Sequence, residues 1–319
     1  MFGRVAAQGK VEDFGDLLLP DQASEPILAA PVRAALMEWL QEIWASEELV
    51  EVGLQPRRRA IFHGGPGTGK TTLAHHFAAR LGLPMLRVRG EKLQTTYVGM
   101  SAQAIGKLFD AIKALGEPLI VFFDEFDSLA SKRVGIGLNP AAEMDHNHTV
   151  NTLLANLDRF DGFAVAATNY ADRVDEAIWR RFEIHTELAL PGDHERQRIL
   201  ERYFAPFVLP KAALAGLSTA METASPALMR SFAEHIKRQI VVGPKAGWQM
   251  DKDAVIQRVL ETVQPHPDLG KPRLWSLGVA DKGLSHLPWP LERDASAYPE
   301  QRQIVPAAGG EVVPMRRPA

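Results

Sequence analysis

An eight-residue glycine-rich segment limits the fold of this chain more than any other feature. The segment reads Gly64-Gly65-Pro66-Gly67-Thr68-Gly69-Lys70-Thr71 and matches the phosphate-binding pattern G-x-x-x-x-G-K-[ST] at every specified position. The apolar residues 60–62 before it predict a strand, and Leu73, Phe77 and Leu81 after it recur at helical spacing. A strand, a glycine loop and a helix in this order place a polyphosphate at a helix N-terminus. The sequence therefore predicts an α/β fold that binds a nucleoside triphosphate.

The residue types within this segment suit a polyphosphate. Glycines allow the backbone to pass close to the phosphates with its N–H groups pointing inward. Lys70 is long enough to reach the β- and γ-phosphates, and the Thr71 hydroxyl is a ligand for Mg²⁺. The predicted nucleotide-binding residues are Gly65, Pro66, Gly67, Thr68, Gly69, Lys70, Thr71 and Thr72.

Two carboxylates follow the longest apolar strand signal. Residues 119–123 predict a strand buried on both faces of a parallel sheet, and Asp124 and Glu125 come directly after it. Carboxylates at the end of a buried strand are costly unless they have a function there. We expect Asp124 to hold Mg²⁺ and Glu125 to activate water as the general base. A solvated acidic turn is the alternative interpretation, which the glycine-rich segment upstream disfavours.

A third predicted strand, residues 163–168, ends at Asn169. A neutral amide at this position can hydrogen-bond both the γ-phosphate and the attacking water without adding negative charge. The spacing alone leaves open a second interpretation, in which Asn169 is an ordinary turn residue before Tyr170.

The order of these motifs resembles that of the AAA family of ATPases, over roughly residues 14–245. The residues that carry the resemblance are 64–71, 124–129, 166–169, 174–182 and 190–191. The resemblance implies a P-loop NTPase fold, with a parallel sheet flanked by helices and a C-terminal α-helical lid domain. It further implies that the substrate is ATP, bound with Mg²⁺ and hydrolysed to ADP and phosphate.

The resemblance also gives roles to five individual residues. Arg180 and Arg181 align with arginine fingers that enter the neighbouring subunit's active site in the family's rings. From the sequence alone, a basic helix end that complements the helix dipole fits them equally well. Tyr97, Val98 and Gly99 resemble the family's pore loop, which grips an extended polypeptide. Without the family, Tyr97 is better interpreted as an ordinary, partly buried aromatic residue.

Three other polar residues are interpreted less specifically. Arg230 fits either a lid residue that senses the γ-phosphate or a surface residue of a predicted helix over 226–241. His146 and His148 are expected to be solvated loop histidines rather than metal ligands, because no cysteine and no H-E-x-x-H motif accompanies them.

Composition excludes several classes of protein. The chain has 319 residues, no cysteine and a formal net charge of −3. Disulfides are therefore excluded, and no general attraction to nucleic acid or anionic lipid is expected. No uncharged apolar run approaches membrane-spanning length, and the N-terminus lacks the apolar region of a signal peptide. We expect a cytoplasmic enzyme.

Composition also changes along the chain, which suggests four segments. Residues 1–25 form a short polar lead, 26–191 the ATPase core and 192–263 the helical lid. From 264 to 319 prolines and glycines are frequent, which predicts a poorly ordered tail. Strands are predicted near residues 60–63, 85–88, 119–123, 163–168 and 185–190.

The sequence thus favours a single-module ATPase that forms a homo-oligomeric ring, expected to be a hexamer. Its expected work is to unfold or remodel a protein substrate by threading it through the central pore, with any protease or effector encoded separately. The alternative is a nucleotide-gated assembly or loading factor that acts on a DNA or replication partner without threading. A scaffold that only binds ATP is disfavoured by Glu125 and Asn169. Tyr97 separates the first two hypotheses, because a loading factor has no need of it.

Overall fold

The computed structural model describes residues 10–93, 99–133 and 140–294. The described strands are β1 (Gly15–Leu18), β2 (Arg59–His63), β3 (Met85–Val88), β4 (Ile120–Phe123), β5 (Phe163–Thr168) and β6 (Ile184–Glu187). They form a six-stranded sheet in the order β1-β3-β4-β5-β2-β6. Strand β1 runs antiparallel to β3, and all other neighbours are parallel. The predicted α/β fold with a largely parallel sheet is confirmed.

Helices cover both faces of this sheet and continue beyond it. In the core they are α1 (Ala30–Trp44), α2 (Ser46–Glu51), α3 (Lys70–Arg80), α4 (Gly90–Leu93), α5 (Met100–Leu115), α6 (Pro140–Arg159) and α7 (Glu176–Trp179). After β6 they are α8 (Asp193–Phe204), α9 (Lys211–Ala220), α10 (Pro226–Val242), α11 (Lys252–Thr262) and α12 (Arg273–Leu277). Short 3-10 helices span Pro20–Gln22, Phe126–Ser128, Ala171–Arg173, Pro267–Leu269, Gly278–Ala280 and Lys282–Leu284.

Alternation along the strands produces two apolar layers, one on each face of the sheet. In β4, Val121 and Phe123 pack into the layer beneath α5 and α6, while Ile120 and Phe122 pack into the layer beneath α1 and α3. All four residues of β4 are buried, as the sequence predicts for a central strand of a parallel sheet.

The strand register brings the predicted functional residues to one edge of the sheet. His63 at the end of β2 lies opposite Thr168 at the end of β5, and Phe123 at the end of β4 lies opposite Ala166. Because these strands are parallel, the segments that follow them begin side by side. This is the edge at which open α/β sheets bind their ligands.

The helices after β6 form a lid with an apolar core of its own. Side chains from α8, α9, α10 and α11 meet in this core, including Phe204, Leu217, Phe232 and Val259. Helix α10 begins at a capped end, where the Ser225 side chain accepts a hydrogen bond from Leu228 N. The predicted C-terminal helical lid is therefore confirmed.

The lid extends further along the chain than the sequence predicts. Leu274, Trp275 and Leu284 belong to the lid core, and Trp275 Nε1 donates a 2.6 Å hydrogen bond to Val263 O. The prediction of poor order is therefore wrong for residues 264–294, because it weighed the prolines and glycines and overlooked the large apolar residues between them. Residues 295–319 lie outside the described residues.

The predicted N-terminal lead also differs from the structure. Residues 15–18 form β1, which pairs with β3 from Gly15 opposite Val88 to Leu18 opposite Met85. The lead is thus partly an edge strand of the core sheet.

None of the helices in the described part of the chain is long and apolar enough to cross a membrane.

Candidate nucleotide-binding site

The glycine-rich segment connects β2 to α3, and two of its glycines combine a positive φ with no room for a Cβ. Gly64 has a φ of 143°, and a Cβ placed there would lie 2.3 Å from the backbone oxygen of Leu188. Gly67 has a φ of 72°, and its Cβ would lie 2.8 Å from Ala227 Cβ. Helix α3 begins at Lys70, so the loop backbone leads directly into the helix N-terminus. This is the strand–loop–helix arrangement that the sequence predicts.

Lys70 connects the loop to the end of β5. Its Nζ donates hydrogen bonds to Gly64 O at 2.7 Å, to Gly65 O at 2.8 Å and to Asn169 Oδ1 at 2.7 Å. These three acceptors match the three donors of an ammonium group. The structure thus brings together Lys70 and Asn169, which lie 99 positions apart in the sequence.

The environment of Lys70 favours an added negative charge. The residue is 8% exposed, and the three hydrogen-bond partners of its ammonium group are neutral oxygens. Burial lowers the pKa of Lys70 to about 8, although the carboxylates of Asp124 and Asp127 act in the opposite direction. An anionic phosphate at this position would stabilise the charged form of the lysine.

Asp124 at the end of β4 faces the first turn of α3. Thr71 Oγ1 donates to Asp124 Oδ2 at 3.3 Å. The same oxygen accepts hydrogen bonds from Arg87 Nε at 3.1 Å and from Arg87 Nη2 at 2.7 Å. A hydroxyl and a carboxylate side by side are oxygen ligands of the kind that Mg²⁺ prefers.

Arg87 is a site residue that the sequence analysis missed. It lies in β3, where Met85, Leu86 and Val88 are buried and Arg87 alone is exposed. A charged residue within a short apolar strand was the available signal. Its guanidinium neutralises Asp124 in this structure, so the carboxylate is paired although it lies at the end of a buried strand.

Glu125 has an unusual backbone conformation. Its φ of 50° lies in the left-handed region, and no other non-glycine residue in the described ranges has a positive φ. Such a conformation costs about 1–2 kcal/mol for an L-residue, and residues held in it cluster at functional sites. The backbone turn directs the chain away from β4 directly after Asp124, and the Glu125 side chain is exposed.

Arg180 and Arg181 differ in how they are held. Arg181 Nε donates to Asp158 Oδ1 on α6 at 3.1 Å, and Arg181 Nη1 donates to Ala177 O at 3.1 Å. The Arg180 side chain is 77% exposed and is paired with Glu176, also largely exposed, at 3.8 Å. Arg180 therefore projects into solvent, whereas Arg181 is held by contacts within its own chain.

The remaining predicted residues are placed as follows. Tyr97 and Val98 lie outside the described residues. Arg230 on α10 pairs with Glu234 at 2.7 Å, an arrangement that fits the interpretation as a surface residue of that helix. His146 and His148 lie on α6, so the expectation that they occupy a loop is wrong. The helix was missed because the polar residues around them gave no clear apolar stripe.

Comparison with known proteins supports the assignment that this geometry suggests. Residues 60–190 match the family described as "ATPase family associated with various cellular activities (AAA)". The chain is 39% identical to the uncharacterized AAA family ATPase y4kL of Sinorhizobium fredii, over 54% of this chain and 51% of that protein.

Two further relatives carry functional names. The ATP-dependent zinc metalloprotease FtsH of Mycoplasmoides gallisepticum is 34% identical over 53% of this chain and 22% of its own length. The proteasome-activating nucleotidase of Aeropyrum pernix is 38% identical over 47% of this chain and 37% of its own length. The chain therefore matches about half, or less, of each of these curated relatives. Residues 60–190 form a domain of the AAA family of ATPases.

Proposed function

We propose that this protein binds ATP and Mg²⁺ at the edge of the sheet formed by the ends of β2, β4 and β5. The observation that carries the proposal is Lys70, buried between the glycine-rich loop and Asn169 and bonded to neutral oxygens. Thr71 and Asp124 lie beside it as an oxygen pair suited to Mg²⁺. The residues present thus fit both the nucleotide and the metal.

Each residue at this edge then has a chemical task. Lys70 binds the β- and γ-phosphates, and Asn169 orients the attacking water beside the γ-phosphate. Glu125 takes a proton from that water as the general base. Mg²⁺, when bound, neutralises charge on the phosphates. Arg87 must release Asp124 Oδ2 for that oxygen to face the metal, because one oxygen has too few lone pairs for all these partners.

The active unit is proposed to be a homo-oligomeric ring, a hexamer, with each ATP at a subunit boundary. Support comes from Arg180, whose guanidinium projects into solvent with only a weak partner. An exposed guanidinium can reach the γ-phosphate of a neighbouring subunit and stabilise charge there. Arg181 would first have to exchange Asp158 for phosphate. We therefore assign the principal finger to Arg180.

The work coupled to hydrolysis is proposed to be the unfolding or remodelling of a protein substrate. The support is the printed names of two relatives, a metalloprotease that depends on ATP and a nucleotidase that activates the proteasome. Both names connect an AAA domain with protein degradation. A separately encoded protease or effector would then be the partner of this chain.

Replacing Lys70 by alanine is expected to weaken ATP binding by about 10²-fold, the equivalent of losing charged hydrogen bonds in a partly buried site. Titration calorimetry with ATP and Mg²⁺ measures the change. Lys92→Ala is a matched control, because Lys92 is an exposed lysine of α4. Equal affinity of Lys70→Ala and the wild type would remove the assignment of the loop as the phosphate site.

Binding of ATP should also depend on pH through Lys70. Without ligand the pKa of this lysine is about 8, and phosphate binding requires the charged form. Above that pH, binding must take up a proton, so affinity is expected to fall by up to about tenfold per pH unit. Titrations between pH 7 and about pH 10 measure the slope. The slope should be absent in Lys70→Ala, and a flat wild-type profile would contradict the assigned role.

Threading is tested by Tyr97→Ala. This variant is expected to keep basal hydrolysis and to lose the coupling of hydrolysis to protein unfolding, because alanine cannot pack against a polypeptide as an aromatic ring does. The measurement is the ATPase rate beside the unfolding of a tagged fluorescent reporter. Tyr97→Phe is the matched control and should keep both activities. Full unfolding activity in Tyr97→Ala would favour the loading-factor alternative.

A further inference from the structure

The lid touches the glycine-rich loop at two separate places. At the start of α10, Ala227 N donates a 3.2 Å hydrogen bond to Gly67 O. The second contact comes from Leu269, which packs so closely on Gly65 that a Cβ added there would lie 2.7 Å from Leu269 Cδ2. Leu269 belongs to residues 264–270, which we name the strap. The strap lies outside the part of the chain that matches the AAA family.

The strap also reaches the residue after Asn169. Tyr170 Oη donates a 3.1 Å hydrogen bond to Asp268 Oδ2. The same tyrosine contacts Arg173, whose guanidinium lies 3.9 Å from the ring centroid. The strap is itself ordered around Asp268, whose backbone N–H donates to His266 Nδ1 at 3.3 Å.

Tyr170 is in turn connected to the end of β5. Its backbone N–H donates to Thr168 Oγ1 at 3.0 Å, and that hydroxyl donates to Asp127 Oδ1 at 2.6 Å. Asn169 therefore lies between two residues that are held by hydrogen bonds. On one side the anchor is Thr168 within the sheet, and on the other it is Asp268 of the strap.

The base of the strap is fixed to the lid core. Gln264 Nε2 donates to Leu260 O on α11 at 2.9 Å, and Val263 O accepts the indole N–H of Trp275. The strap is therefore attached to the lid core. A displacement of the lid from the glycine-rich loop would separate Asp268 from Tyr170 and Leu269 from Gly65.

We propose that Asp268 is a positioning residue for ATP hydrolysis, which acts through Tyr170 to hold Asn169 in its catalytic orientation when the lid is closed. The inference rests on the proposed role of Asn169 in orienting water. On this proposal, the strap makes the orientation of the Asn169 amide depend on the position of the lid. Because Asn169 also accepts from Lys70 Nζ, the same contact connects the lid to the phosphate-binding lysine.

The test compares Asp268→Ala, Tyr170→Phe and the double variant with the wild type, each as the full chain. We measure kcat, KM for ATP, the affinity for a fluorescent ATP analogue and the thermal midpoint. Each single variant is expected to lose about three- to tenfold in kcat, the rate equivalent of one hydrogen bond. The double variant should lose no more than either single one, because both changes remove the same bond. KM, nucleotide affinity and thermal midpoint should stay near the wild-type values.

Asp172→Ala is the matched control, because Asp172 is an exposed carboxylate on the adjoining 3-10 helix. It should retain wild-type kcat, and Asp268→Glu should recover part of the loss. Wild-type kcat in Asp268→Ala, or an equal loss in Asp172→Ala, would overturn the inference. A loss of kcat that follows a fall in thermal midpoint would show a merely structural contact. Failure of the wild type to hydrolyse ATP in this assay would instead contradict the proposed function.

Discussion

Replacing Arg180 by alanine is expected to leave ATP bound and to reduce turnover by about 10³–10⁵-fold, the range for arginine fingers in comparable phosphoryl transfer. The reason is that the Arg180 side chain is 77% exposed and projects away from its own subunit. Its guanidinium is proposed to stabilise the γ-phosphoryl group bound to the neighbouring subunit. Phosphate release measures turnover, and a fluorescent ATP analogue measures binding.

A closely matched control exists on the lid. Arg238 is 66% exposed and pairs with Glu234 at 3.9 Å across one helical turn, much as Arg180 pairs with Glu176 at 3.8 Å. Arg238→Ala should therefore keep wild-type turnover. If the turnover of Arg180→Ala lies within a few-fold of the turnover of Arg238→Ala, Arg180 is only a basic residue at a helix end.

Glu125→Gln should separate ATP binding from ATP hydrolysis. Glutamine keeps the size of the side chain but cannot accept the proton of the attacking water, so turnover is expected to fall by about 10²–10⁴-fold. Asp124, Thr71 and Lys70 are unchanged, so ATP and Mg²⁺ should bind as before. The variant should therefore accumulate with ATP bound, which chromatography of the extracted nucleotide measures.

Glu201→Gln, a change at an exposed position of α8, serves as the control and should hydrolyse ATP at the wild-type rate. If Glu125→Gln also hydrolyses at a comparable rate, another residue must be the base. If it fails to bind ATP, the Glu125 carboxylate is instead needed for the fold of the site.

The sequence predicted the parts of the fold that local patterns determine. The glycine-rich segment predicts the strand before it and the helix after it, because the pattern binds phosphate only in that context. The wholly buried β4 and β5 could be recognised from their runs of apolar residues, since strands buried on both faces need no alternation. The meeting of Lys70 and Asn169 then follows from parallel strands ending at one edge.

What the sequence did not predict depends on contacts between distant segments. Strand β1 has only four residues of mixed polarity, and it is a strand only because β3 offers it an edge. The strap contains prolines and a glycine, which are typical of a loop. Its ordered contacts are made with distant residues of the core, since Leu269 packs on Gly65 and Asp268 accepts a hydrogen bond from Tyr170. The role of Arg87 was not predicted, because the sequence shows only that a charged residue lies within an apolar strand. No local pattern separates Arg180 from Arg181, because the difference comes from Asp158 on α6.

The central claim is that each active site is shared between two subunits, and subunit mixing tests it most directly. Lys70→Ala lacks the phosphate-binding lysine but retains Arg180, whereas Arg180→Ala binds ATP but lacks the finger. Each variant alone should be nearly inactive. In an equal mixture, about a quarter of the boundaries in a head-to-tail ring combine an intact loop with an intact arginine.

The mixture is therefore expected to recover about a quarter of the wild-type ATPase rate, if the sites work independently. Recovery should rise with protein concentration, because it requires mixed assembly. A mixture that stays as inactive as its two components, under conditions in which they are shown to co-assemble, would contradict an active site shared between subunits.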